Sequence, residues 1–252
     1  MAQGSDPWNN VRELLARIEE LMSSSHPRGG FDVARPDEAT LSMYWRCVSL
    51  FRSVLLLLDN RYPEEALILA RSLFEESLRL KELQDAGNDR EAFLVGYYAE
   101  ALERQEELFG PTAERLGLTE DASDVVESAR QQKGQLENYR KRKNIGKRKK
   151  FSTVKAAATK QNRRKDLWIY LLSHHMVHGG EPAYIYRRQN VGENAIALYS
   201  NTNDPHALAE VGAFAARSVS HALYAAAGIF GWEISPELRK LVNELAQRVN
   251  GT

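Results

Sequence analysis

The sequence predicts an all-α fold, a multi-helix bundle of seven to nine helices, and three observations carry that prediction. Apolar residues recur at three- and four-residue spacing over most of the 252 residues. Proline followed by an acid stands where helices should begin, at Pro36-Asp37, Pro63-Glu64 and Pro236-Glu237. Breaks such as Gly87-Asn88-Asp89 and Gly179-Gly180 separate the periodic stretches.

In chain order, a first helix is expected over about 7–24, with Asp6 as its cap and Pro7 in its first position. Val11, Leu14, Leu15, Ile18, Leu21 and Met22 form its apolar face. An exposed connector over 23–30 leads to a second helix, about 36–60, too densely apolar for the surface and therefore central. The third begins at Pro63 and is apolar, yet carries Arg71, Glu75, Glu76 and Arg79. The fourth spans about 89–109; Gly110-Pro111 should stop it, with a short helical piece following to Leu116. A fifth, about 120–143, is polar on most faces and so peripheral. Phe151, Val154 and Ala157 give the next stretch only a weak helical stripe. The apolar run from Leu167 reads as a helix closed by Gly179-Gly180. Between 182 and 200 the pattern turns extended, AYIYRRQ and then AIALY, which suits a short hairpin. Pro205 opens a long helix rich in small residues, suited to close packing, and Ser235-Pro236-Glu237 caps a last amphipathic one. The expected organisation is one helical domain, 1–252, containing a basic segment, 139–165, that is either packed or a mobile arm.

Composition narrows the function classes. No run of consecutive apolar residues approaches the roughly 18–20 of a membrane span, and no secretory signal opens the sequence. The lone Cys47 leaves no intramolecular disulfide and no cysteine-pair zinc site, and it suits a reducing, cytoplasmic setting. Net charge is zero, but thirteen of the 34 Lys and Arg residues fall within 139–165, which holds no Asp or Glu. The rest of the chain therefore carries 21 basic against 34 acidic residues. Charge sorted this way makes a local positive field.

The chemistry-bearing stretch is LWIYLLSHHMVHGG, from Leu167. Read at 3.6 residues per turn, Leu167, Tyr170, Leu171, His174 and His178 share a face, with Ser173 beside it. Buried polar groups on such a face need partners, since an unmade hydrogen bond costs roughly 1–3 kcal/mol. Arg71 and Glu75 on the third helix could supply them by turning inward; the alternative is a solvated edge of i, i+4 ion pairs with Arg79. Arginine offers a fixed fork of donors for phosphate or carboxylate, and a Glu beside a His orients the ring. His174 and His178 have the spacing of paired metal ligands, but there is no HExxH, and His178 could instead bond the terminal carbonyls of its helix. No metal or cofactor is expected.

These two motifs, R-S-L-F-E at 71–75 and Y-L-L-S-H-H-M-V-H at 170–178, resemble a bacterial helical family of unknown function. That family pairs an Arg-Ser-x-x-Glu helix with a Tyr/Ser-rich helix ending in His, and it is similar in turn to the HEPN group of nucleotide- and RNA-handling domains, many in toxin or phage-defence systems. The resemblance covers about 66–180 and implies a helical bundle, often dimeric, with RNA as a candidate substrate. One departure stands out. Active HEPN ribonucleases place four to six residues between an Arg and a following His on one helix, whereas Arg217 and His221 have only three between them.

The expected function is an RNA-associated protein, as a metal-independent ribonuclease or defence effector, with Arg71, Glu75, Tyr170, Ser173, His174 and His178 as catalytic residues. His178 or His174 would take the 2′-hydroxyl proton, Arg71 stabilise the phosphate charge, and Glu75 orient the imidazole. Arg140, Lys141, Arg142, Lys143, Lys147, Arg148, Lys149, Lys150, Arg163, Arg164 and Lys165 would hold the strand. The rival reading is a non-enzymatic helical adaptor whose basic segment binds a protein or nucleic-acid partner; a second rival is a metal-dependent hydrolase. Expected partners are RNA or another nucleic acid, a second copy of the chain or a partner protein, and no membrane.

Overall fold

A computed structural model of the chain describes residues 7–24, 35–117, 119–177, 188–192, 195–198 and 205–250. Helices dominate: α1 Pro7–Ser24, α2 Arg35–Asp59, α3 Pro63–Ala86, α4 Arg90–Leu116, α5 Thr119–Arg142, α6 Val154–Lys160, α7 Arg164–Val177, α8 Pro205–Phe230 and α9 Pro236–Asn250. The fold is the all-α bundle that the spacing of apolar residues predicts. The extended excursion is a two-stranded antiparallel hairpin, β1 (Arg188–Gly192) with β2 (Ala195–Leu198), in which Asn190 lies opposite Ile196. The expected Asp6 cap and the 23–30 connector fall partly or wholly outside the described residues.

The chain forms two compact units. One comprises Met1–Val33, Thr40–Gln84 and Thr153–Thr252; the other comprises Ala34–Ala39 and Asp85–Ser152. The first is built around α8, whose alanines leave room for neighbours to approach. A Cβ on Gly212 would come within 2.8 Å of Leu15 Cδ1, so glycine there lets α1 lie against α8. α9 packs on both, and Ser235 caps it by accepting from the Glu237 amide at 3.3 Å. Phe74 of α3 meets Phe214 of α8 with ring centroids 5.3 Å apart, and Tyr44, Phe51 and Leu58 of α2 are fully buried. Each such side chain contributes roughly 1.5–3 kcal/mol by leaving water. By length and average hydropathy Glu38–Asp59 would suffice to cross a membrane, though no stretch of consecutive apolar residues gives that impression. The same composition is what a core helix needs.

In the second unit α4 and α5 form a helical hairpin, with Ala129 buried. Arg130 and Lys133 of α5 both reach Glu106 of α4, at 2.8 and 3.4 Å. Here one expectation is corrected. Gly110-Pro111 does not end α4, which runs unbroken to Leu116 with Pro111 inside it. Proline removes its own amide but already holds the helical φ, so the turn continues without that one backbone bond.

The stretch after α5 is a strap on α4. The Lys149 amide donates to the Ala92 carbonyl at 3.1 Å, and Phe151 meets the rings of Phe93 and Tyr97 at 5.4 and 5.9 Å. A Cβ on Gly96 would lie 2.0 Å from the Lys149 carbonyl oxygen. Glycine at 96 is thus what allows the strap to lie this close. Residues 139–152 belong to the second unit and 153–165 to the first, so the basic segment is divided between them.

Candidate functional site

Arg71 and Glu75 lie one turn apart on α3, beside the buried Phe74. Phe74 also packs on Tyr170 of α7, centroid to centroid 5.8 Å, and this apolar contact brings the phenol over the polar pair. Arg71 Nη2 donates to the Tyr170 hydroxyl at 3.2 Å, and that hydroxyl donates to Glu75 Oε1 at 2.9 Å. The guanidinium carbon sits 4.6 Å from the centre of the Tyr170 ring, and Arg71 Nε lies 3.6 Å from Glu75 Oε1. Two motifs about a hundred residues apart in sequence thus meet in a part-buried Arg–Tyr–Glu cluster. It extends along α3, where Arg79 reaches Glu75 at 3.8 Å and Glu76 at 3.0 Å.

The electrostatics restrict what this cluster can do. Burial, and next the bond to Glu75, push the Tyr170 hydroxyl above the ordinary phenol range. Tyr170 therefore stays protonated at neutral pH, a hydrogen-bond donor or acid rather than a base. Arg71 and Glu75 keep side-chain exposures of 17% and 26%, so the cluster borders solvent.

The other expected catalytic residues are placed differently. Ser173 is fully buried and donates to the Tyr170 carbonyl at 2.6 Å within its own helix, so it does not line the cluster. His174 lies on α7 one turn beyond Tyr170, with its side chain outside what the structure describes; His178 lies outside the described residues altogether. No group of three His, Cys, Asp or Glu side chains able to hold a metal is found among the described residues. The one cysteine is buried, and burial holds its thiol protonated.

Several cations of the basic segment are engaged. Arg140 binds Glu137 at 2.6 Å and the Gly146 carbonyl at 3.0 Å; Arg148 bridges Glu137 and Glu103 at 3.2 and 3.3 Å. Arg140 and then Arg148 hold the Glu137 carboxyl down to about 2. Lys149 binds Asp89. Lys141, Arg142, Lys143, Lys147 and Lys150 are exposed in that unit, as are Arg164 and Lys165 in the other. Arg163 is a correction: it is no surface cation.

Arg163 belongs to a cluster that the sequence reading missed. Its Nε donates to Asp166 Oδ2 at 2.5 Å, while Arg217 Nε of α8 donates to Asp166 Oδ1 at 2.8 Å. Burial alone would raise the Asp166 carboxyl, but the two guanidiniums outweigh it and hold it below the ordinary range. The Arg163 guanidinium lies 5.2 Å from the centre of the Phe74 ring. The only sequence signals were the i, i+3 spacing of Arg163 and Asp166 and the acid in the first turn of α7. A separate cavity of about 560 Å³ lies between α8 and α9, lined by Tyr224, Gly228, Trp232, Arg239 and Asn243 among others, and holds none of the expected residues.

Residues 37–194 match the model of a protein family described as of unknown function. No curated protein and no solved structure matches the chain. The matched region contains Arg71, Glu75 and Tyr170 and ends before Arg217.

Proposed function

The chain belongs to DUF5677, that family of unknown function, and from this premise we propose that it is a cytosolic RNA-associated protein acting through the Arg71–Glu75–Tyr170 cluster, as a metal-independent ribonuclease related to the HEPN group. The observation that carries the reading is the three-way junction at the Tyr170 hydroxyl, which places a fixed cation, a carboxylate and a protonated phenol within about one hydrogen-bond length of each other, at 2.9 to 3.6 Å. In this reading Arg71 stabilises charge on a phosphodiester, Tyr170 donates to a non-bridging or leaving oxygen, and His174 on the next turn of α7 takes the 2′-hydroxyl proton. Exposed Lys141, Arg142, Lys143, Lys147 and Lys150 supply strand affinity, which weakens steeply with salt.

The test is incubation of the purified chain with single-stranded RNA in chelator. Cleavage is expected, abolished by His174→Ala and lowered about a hundredfold or more by Arg71→Ala or Tyr170→Phe. Intact RNA, or cleavage indifferent to Arg71→Ala, sinks the reading. A second reading, a non-enzymatic adaptor, is favoured by a specific feature: Arg71, Tyr170, Glu75 and Arg79 satisfy one another, as a register-fixing network would. Trp168, 65% exposed on α7, would then meet a partner protein or a second copy of the chain. Loss of stability without any RNA phenotype in Tyr170→Phe would decide for it.

A further inference from the structure

On the outer side of α7 a large aromatic ring stands in water among positive charges. Asp166, Tyr170 and Ser173 follow one another at i, i+4 and i+7, and all three turn inward, to Arg217, Glu75 and the helix backbone. The opposite side carries Arg164, Lys165, Trp168 and Leu171, every one of them exposed. Trp168 keeps 65% of its surface in solvent and Leu171 43%. Trp168 stands four residues after Arg164 and three after Lys165, so the indole and both cations are neighbours on one helical strip, about 5–6 Å apart at their β-carbons. Lys155 and Lys160 of α6, which packs on α7, are exposed as well. The acid of these two helices, Asp166, is buried between Arg163 and Arg217 and offsets none of this outer charge. Among the described residues, none of the four exposed cations is held in an ion pair.

Area and charge together select the occupant. A stable protein interface covers roughly 800 Å² per partner, more than half of it apolar. One aromatic side chain offers roughly 150–250 Å², so Trp168 and Leu171 fall short of what a partner protein or a second copy needs. A helix lying in a membrane surface needs a continuous apolar face. Here Leu167 and Ile169 are half-buried, and the exposed strip begins with two cations. A single strand of nucleic acid matches both features, since its bases offer flat faces to an aromatic ring while its phosphates meet Lys and Arg. A duplex keeps those faces stacked inside.

We infer that Trp168, with Arg164 and Lys165 beside it, is a stacking subsite for one base of a single-stranded nucleic acid, the flanking phosphates lying against the two cations. Lys155 and Lys160 continue the path of positive charge onto α6. The subsite rests on the RNA reading for its ligand class but not on cleavage, and it lies on the side of α7 away from the Tyr170 hydroxyl.

The experiment titrates the full chain with a labelled 2′-O-methyl single strand of about twelve nucleotides, which has no free 2′-hydroxyl and so survives any ribonuclease of the proposed kind. Anisotropy reads binding and tryptophan emission reads stacking. Trp168→Ala should weaken the strand about tenfold or more while leaving the melting temperature within about 2 °C, because the side chain is exposed. Trp168→Phe, which keeps a ring, should retain most of the affinity and lose the emission change; Trp168→Leu, which keeps only apolar bulk, should bind as poorly as Trp168→Ala. Removing both cations, Arg164→Gln with Lys165→Gln, should lower the slope of log affinity against log salt by about 1.4. Affinity for a duplex of the same length should not respond to Trp168→Ala.

No binding of the strand, affinity indifferent to Trp168→Ala, or full affinity in Trp168→Leu overturns the assignment. So does a concentration-dependent dimer, or adhesion to phosphatidylserine vesicles, that Trp168→Ala removes while the strand still binds; the strip then belongs to a second copy or to a membrane. Arg71→Ala should leave the 2′-O-methyl strand bound. A chain that binds this strand through Trp168 yet leaves ordinary RNA intact sinks the ribonuclease alone.

Discussion

Replacing Tyr170 by Phe deletes one oxygen and tests the junction between α3 and α7 directly. The hydroxyl accepts from Arg71 and donates to Glu75, and both partners are charged, so each bond in a fully buried setting would be worth roughly 1.5–3 kcal/mol. Two features reduce that figure. The partners remain about a fifth exposed, so water can replace part of what is lost, and Arg71 and Glu75 stay within 3.6 Å of each other to compensate. The ring itself is kept, along with its contacts to Phe74 and the Arg71 guanidinium. A net loss of about 1 kcal/mol follows, or about 2–4 °C in melting temperature for a chain of this length. Urea denaturation of Tyr170→Phe, Glu75→Ala and the double variant gives the coupling, which should reach about 0.5 kcal/mol or more. A double variant whose loss is the plain sum of the two singles would refute the bridge.

Gly96→Ala should destabilise the second unit by about 1–3 kcal/mol, because the new methyl meets a backbone carbonyl that cannot swing away; faster hydrogen exchange at the Lys149 amide would show the strap lifting. Glu137 is held down from 4.5 to about 2 by Arg140 and Arg148, so its contribution is present above pH 4.5 and lost as pH falls through 2; Glu137→Gln should flatten the acid limb of the stability curve there. His221 acts in the same direction over a higher window: its folded value of about 4 lies below the ordinary 6.5, the unfolded chain binds the extra proton, and stability therefore rises from pH 4 to 6.5. His221→Phe should remove that slope, and an NMR titration placing the His221 midpoint near 6.5 would contradict the burial that causes it.

Much of the fold was legible because helix periodicity and capping are local. Pro63, Pro205 and Pro236 mark the starts of α3, α8 and α9, and each is the first residue of its helix. The misreading at Gly110-Pro111 came from treating a local cost as decisive; a proline penalty of about 3 kcal/mol is one that packing along a long α-hairpin can absorb. Arg71, Glu75 and Tyr170 could be singled out as polar groups on apolar helices. Ser173 looked the same, yet it bonds its own backbone, an option any helical serine has and no spacing rule excludes. Arg163 was hidden among twelve other cations of 139–165, and nothing local separates a solvated arginine from one that will be buried over Phe74.

What this sequence determined by itself is a set of amphipathic helices, where most of them start, and the sorting of positive charge into one segment, since all of these depend on residues close together in the chain. Which side chains face each other was decided only in three dimensions. Tyr170 finds Arg71 and Glu75, and Arg163 turns inward to Asp166 and Arg217, because Phe74 and Phe214 pack α3, α7 and α8 together; that burial of aromatic area is a property of the assembled core and is not carried by any single stretch.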